Sequence, residues 1–396
     1  MKDDKKLELL LERFYNRFNQ YNTKVLEKMG EAIKKFDGVS PTVAHQIAQE
    51  LKYGADIDDL IAELSKLSGK SIKDIEEAFD LVAEENVAFA EVYAKAKNKE
   101  FVNYKDNKQL QRLVKGIAGE TNATFKNISR AKAIGFVLKD ANGKKVFKSL
   151  KQTYNDLIDE AVFNVTTGVT DYQSAMRSVM KQLADSGVKI HEEKVGYKSG
   201  YNVRIDSAVR QNVLTGIRQV NLEVQKQVGR EYGANGIEVS AHSPCAEDHL
   251  HIQGKQYSNA EFKRLNGNLE RPIGEYNCRH FVFSIVLGVS QPSYSQKMLN
   301  KMNKESRSII EYEGNKYTKY EATQVQRKLE TAIRKEKDRQ IIARASGDKD
   351  GVSIAQSNIS TLTSKYNDFS RNAGLETYKN RLAVSGYKRT SVAKMK

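Results

Sequence analysis

The sequence predicts a mainly α protein of long helices with one small α+β unit of short strands around residues 233–290. Three observations point there. Charged residues make up 29% of the 396 and hydrophobic residues 39%, with no tryptophan. That balance suits solvated helices better than one large core. Only four prolines occur, so long helices meet few breaks. Apolar residues recur mostly at steps of three and four, and strict alternation is confined to short stretches.

The elements follow in order. Leu7, Leu11, Phe14, Phe18, Tyr21 and Val25 form one apolar stripe with a period near 3.5, a helix able to pack as a short coiled coil. DGVSPTVAHQIAQEL reads as a turn and a helix start, with Ser40 as N-cap and Pro41 at the first helical position. A break is expected at Gly69, followed by a helix capped by Ser71 with Asp74 three residues on. In GFVLKDANGKKVFKSL, Asn142-Gly143 signals a hairpin between Val137-Leu138 and Val146-Phe147. Helical pattern returns from about Ser149 to Ala184. A second hairpin turns at Lys198-Ser199-Gly200. Asp206 then caps a helix that ends near Tyr232 at Gly233. IEVSAH, QGKQYS and the apolar run FVFSIVLGV read as strands, closed by Pro292. Beyond it, Ala322, Val325, Leu329 and Ile333 line one helix face, and the last fifty residues carry too little pattern to predict firm order.

A chain of this length allows two or three units. The expected segments are a helical region at 1–122, a helical region with two hairpins at 123–232, the motif unit at 233–294, a basic helical region at 295–346 and a weakly ordered basic tail at 347–396. No apolar run is long enough to span a membrane, and the N-terminus lacks a signal-peptide core. A soluble, cytoplasmically made protein is expected. From Ser295 to the C-terminus the chain carries 22 Lys and Arg against 11 Asp and Glu, so +11 of the net +15 lies there. Such a segment favours polyanions, nucleic acid or an acidic protein surface, and its plain alternative is a solvated helix. Arg327, Lys328, Arg334, Lys335, Lys337 and Arg339 are the candidate nucleic-acid contacts.

The chain has six histidines and two cysteines. His242, Cys245, His249 and His251 fall within SAHSPCAEDHLHIQG, and Cys278 and His280 within NCRH. Thiolate and imidazole are zinc's preferred donors, four at a time in structural sites. Cys278 and His280 alternate, so an extended backbone points them the same way. Three readings stand open: one structural zinc, a hydrogen-bonded cluster without metal, and a catalytic metal. Enzyme signatures are incomplete. His191-Glu192-Glu193 and Pro244-Cys245 supply parts of the zinc-deaminase pattern, but its second cysteine is missing. No phosphate-cradling loop, nucleophile elbow or His-Glu-x-x-His occurs. Asp248 is a candidate for orienting a histidine, or a plain loop carboxylate.

The order VSAH, a second His, QGKQYS, YNCRH and an apolar strand ending GVSQPSY resembles the phage minor capsid protein 2 family. YKSGYNVRIDSAVRQNVLTGI upstream and YEGNKYTKYEATQVQRKLETAIRK downstream extend the likeness to roughly residues 120–340. The resemblance implies a low-copy structural component of a tailed-phage head, made in the host bacterial cytoplasm and carried in the virion near the portal. Portal and capsid proteins would be its partners, together with packaged DNA. It also implies His242, His249, Cys278 and His280 as the motif residues, with Cys245 as an alternate where relatives differ. The alternative from the residues themselves is a metal-dependent hydrolase or nuclease using Asp248, His249 and His280.

Overall fold

The computed structural model describes residues 4–35, 56–96, 100–128, 134–140, 142–153, 155–156, 159, 172–192, 201–269, 272–273 and 278–390. The architecture is mainly α with small antiparallel sheets. It divides into two compact units, each assembled from three stretches. One comprises Met1–Glu12, Ser71–Thr124 and Arg210–Val325; the other comprises Arg13–Lys70, Phe125–Val209 and Gln326–Lys396. No helix among the described residues is long and apolar enough to cross a membrane.

Helix α1 (Asp4–Lys34) carries the expected stripe, and Phe14, Phe18, Tyr21 and Val25 are buried. That face packs within the chain. The side chain of Leu7 lies outside the described residues, as do the Ser40–Pro41 helix start, the Lys198–Gly200 turn and the Asp206 side chain. Helix α2 (Asp56–Ala96) corrects the expected break at Gly69. Leu60, Leu64, Ser68, Ser71, Ile75, Phe79 and Val82 are buried at helical spacing straight through the glycine. Burial of this stripe outweighs the ~1 kcal/mol that a mid-helix glycine costs. Ser71 is therefore a buried mid-helix residue and not a cap.

In the second unit, the hairpin β1 (Ile134–Lys139) and β2 (Lys145–Ser149) forms at Asn142-Gly143 as expected. Asp140 Oδ1 accepts from the N–H of Asn142 and of Lys144, both at 2.9 Å, and Gly143 takes φ +76°. Strands β3 (Lys189–Glu192) and β4 (Tyr201–Arg204) pair antiparallel. The two hairpins join through β1–β3 into one sheet, ordered β2-β1-β3-β4. Helix α3 (Lys108–Ile128) precedes these strands in sequence, and α4 (Tyr172–Ser186) lies between β2 and β3.

A buried polar knot ties the second unit. Asp338 is fully buried on α8 (Lys319–Ser346), where it accepts from Arg204 Nη1 at 2.9 Å and Asn22 Nδ2 at 3.3 Å. Asn22 Oδ1 in turn accepts from the Val188 N–H at 3.0 Å. Residues 349–372, where weak order was expected, form α9 (Lys349–Asn372). Val352, Ala355, Ile359, Tyr366 and Phe369 give it a buried stripe. Asp348 caps it, accepting from the Gly351 N–H at 3.0 Å and from Arg177 through two bonds of 2.9 Å. Burial works against the Asp348 carboxylate, but these bonds hold its pKa below the ordinary value.

In the first unit, α5 (Ile205–Glu231) ends at Gly233, whose φ of +75° suits the residue just past a helix. Gly216 lies where α5 meets α2 and α3: a Cβ there would sit 2.3 Å from Phe79 Cζ and 2.7 Å from Thr121 Oγ1. Asn221 and Gln225 both donate to Asn86 Oδ1, and Ser284 N–H donates to Gln225 Oε1 at 3.0 Å. This links α5 and α2 to strand β7 (Val282–Ile285), the edge of a sheet ordered β6-β5-β7 with β5 (Gly236–Val239) and β6 (Gln256–Ser258). Helix α6 (Asn259–Gly267) follows β6, capped by Ser258. Helix α7 (Gln296–Ser306) and the hairpin β8 (Ile309–Tyr312)–β9 (Asn315–Thr318) complete the unit. The hairpin was not expected. Its turn residues Glu313 and Gly314 both take positive φ, a conformation that Asn-Gly signals far more strongly than Glu-Gly.

Candidate metal centre

The sheet fixes the site. Ile237, Val239, Ile252, Tyr257, Ile273, Cys278 and Val282 make one apolar cluster beneath it. The chain leaves β5 through Ser240, turns at Ser243-Pro244 and makes a 3-10 turn at Glu247–His249 before returning through Gly254 to β6. Gly254 has φ +69°, and a Cβ there would meet Leu299 Cδ2 at 2.2 Å, so glycine is required. Glu238, buried on β5, accepts from Gln256 Nε2 at 2.8 Å and from the Ser293 N–H, which holds down the loop after β7.

The fold brings five of the six candidates together. Two overlapping groups form, His249–Cys278–His280 and His242–Cys245–His280, each with its donor atoms within 4.8 Å of one another. His280 sits between them. Its Nδ1 lies 3.3 Å from Cys278 Sγ, and its Nε2 lies 3.7 Å from Cys245 Sγ and 3.2 Å from Gln253 Oε1. Cys278 Sγ is also 3.8 Å from His249 Nδ1. His249 Nε2 faces Asp248 Oδ2 at 3.7 Å. The His242 ring packs on His280 at 4.3 Å between centroids, with its Nδ1 3.1 Å from Pro244 O. Burial, then the charges of His280 and Arg279, pushes the His242 pKa down to about 4, so it is neutral at pH 7. His251 is exposed and joins neither group. Neither cysteine is in a disulfide.

Four residues outside the motif histidines and cysteines shape the site. Gln253 is almost fully buried: its Oε1 accepts from the His242 N–H at 3.0 Å, and its Nε2 donates to Asn303 Oδ1 at 2.8 Å. Ser306, on α7 with Asn303, accepts from the Cys245 N–H at 3.1 Å. Arg218 on α5 is buried, and its Nε and Nη1 have no hydrogen-bond partner among the described residues. Burial lowers its pKa, and charge on Cys278 opposes that. Only Gln253 left a trace in sequence, inside the QGK motif. No carboxylate joins either donor group among the described residues, and Asp248 lies beside His249.

The six candidate nucleic-acid contacts are placed unevenly. Lys328 is exposed, and Arg327 and Lys335 are half-buried. Arg334 stacks over the Tyr15 ring at 5.8 Å, and burial lowers its pKa. Lys337 donates to Leu382 O at 2.6 Å and lies 4.7 Å from the Tyr387 ring centre. Arg339 bonds Asp185 and Glu336. The exposed cations of the second unit's last stretch include Lys328, Lys349, Arg371, Lys379, Lys388 and Arg389.

No curated protein and no solved structure matches the chain. The model of one family, described as Phage minor capsid protein 2, matches residues 3–370. The match includes most of both units and the whole His/Cys motif. The chain therefore belongs to the phage minor capsid protein 2 family, structural proteins of the phage head.

Proposed function

We propose that the protein is a low-copy head component that docks near the portal and contacts packaged DNA through exposed cations of its C-terminal quarter. The observation that carries the DNA contact is the +11 charge of residues 295–396, much of it on exposed side chains. Lys and Arg on a surface bind the phosphate backbone by releasing counterions, without reading sequence. The portal placement rests on the family likeness of the motif region.

Deleting residues after Ser295 would be a poor test, because Ile333, Tyr366 and Leu382 form a buried cluster of the second unit. Surface charge reversal is cleaner. Lys328, Lys349, Lys379 and Lys388 changed together to Glu should weaken duplex DNA binding at least about tenfold at moderate salt. The slope of log affinity against log salt should fall by roughly three to four if each lysine meets one phosphate. Unchanged affinity and slope would refute the DNA contact. Arg334→Gln and Arg339→Gln, which alter internally engaged cations, should affect stability more than DNA affinity.

A further inference from the structure

We propose that the chain binds one zinc ion through Cys278 Sγ, His280 Nδ1 and His249 Nδ1, with Cys245 and His242 outside the coordination shell. Proton placement decides between the two overlapping groups. Gln253 Oε1 accepts from the His242 backbone N–H, which can only donate, so the amide is oriented and its oxygen faces His280 Nε2. His280 therefore carries its proton on Nε2 and presents a lone pair at Nδ1, toward Cys278. His249 follows the same plan, with Nε2 facing the Asp248 carboxylate and Nδ1 facing Cys278. A ligating histidine that donates its other ring N–H to an oxygen is the usual outer-shell arrangement of a metal site.

The sulfurs separate in the same way. Cys278 Sγ accepts from the His280 backbone N–H at 3.4 Å and faces a ring nitrogen of both His280 and His249. Cys245 Sγ instead donates to Ala246 O at 3.4 Å, a contact only the protonated thiol makes well. Sulfur-to-nitrogen separations of 3.3 and 3.8 Å bracket the roughly 3.5 Å edge that a tetrahedron with 2.3 Å sulfur and 2.0–2.1 Å nitrogen bonds requires. One soft thiolate with two imidazoles suits zinc. Binding as the thiolate releases any Cys278 thiol proton to solvent. Among the described residues no fourth protein donor joins this group.

The test uses the full-length protein, freed of metal and dialysed against zinc, with metal counted by elemental analysis. Wild type should hold about one zinc per chain, Cys278→Ser and His280→Gln less than about 0.2, and Cys245→Ser and His251→Gln about one. Cobalt titration of wild type should give a thiolate-to-cobalt charge-transfer band, which reports sulfur ligation even if the Cys278 variant does not fold. Wild type with less than about 0.2 zinc and no such band would overturn the proposal and leave a hydrogen-bonded cluster. Loss of zinc from folded Cys245→Ser would overturn the donor set.

Discussion

At the residue scale, Gln253 is the hinge of the site. It is buried, it takes the His242 N–H, it bonds Asn303, and its oxygen sets the His280 ring. Gln253→Leu keeps the volume but deprives a buried N–H and Asn303 of partners. A loss of about 1–3 kcal/mol in denaturant unfolding is expected even in chelator. An unchanged unfolding midpoint would show that the amide is dispensable. The donors themselves were legible in the sequence, because rare residue types gathered in two short segments. Which nitrogen of each ring is available was not, since that depends on Gln253 and Asp248 meeting rings in three dimensions. Arg218 left no sequence signal either: it lies on α5, sixty residues from Cys278.

At the element scale, periodicity told helices from strands wherever one pattern ran unopposed. Helix α1, the Asn142-Gly143 hairpin and strands β5 to β7 formed as read. The failures have specific causes. Gly69 looked like a break, but the stripe from Leu60 to Val82 passes through it. The tail looked weakly ordered because its buried face mixes Gln356 and Ser370 with apolar residues. Strand β3 shows a conflict that sequence hides. Burial first, then the charges of Arg204, Lys335, Lys145 and Arg334, lowers the Lys189 pKa from 10.5 to about 8. Between those values the unfolded chain binds a proton that the folded chain does not, so stability should rise as pH climbs from about 8 to 10.5. Lys189→Met should remove that slope and raise stability at pH 7 by about 1 kcal/mol, or roughly 2–4 °C in melting temperature. A variant less stable than wild type at pH 7 would mean that the ammonium is compensated locally.

At the scale of the whole molecule, each compact unit draws on three stretches of chain, so long-range pairings set the fold and linear segmentation does not expose them. The two hairpins were legible singly, but their union through β1–β3 was not. The charge surplus was legible from composition. Its division into internal pairs, as at Arg339, and exposed cations, as at Lys388, needed the fold. Membership in a head-protein family and a basic C-terminal quarter both fit a structural component of the particle. The direct test is quantitative mass spectrometry of purified DNA-filled virions and of procapsids, with portal and major capsid protein as internal standards. The protein should be present in both, at a copy number comparable to the portal and far below the major capsid protein. Absence from both particles, with abundant protein in infected cells, would contradict the account.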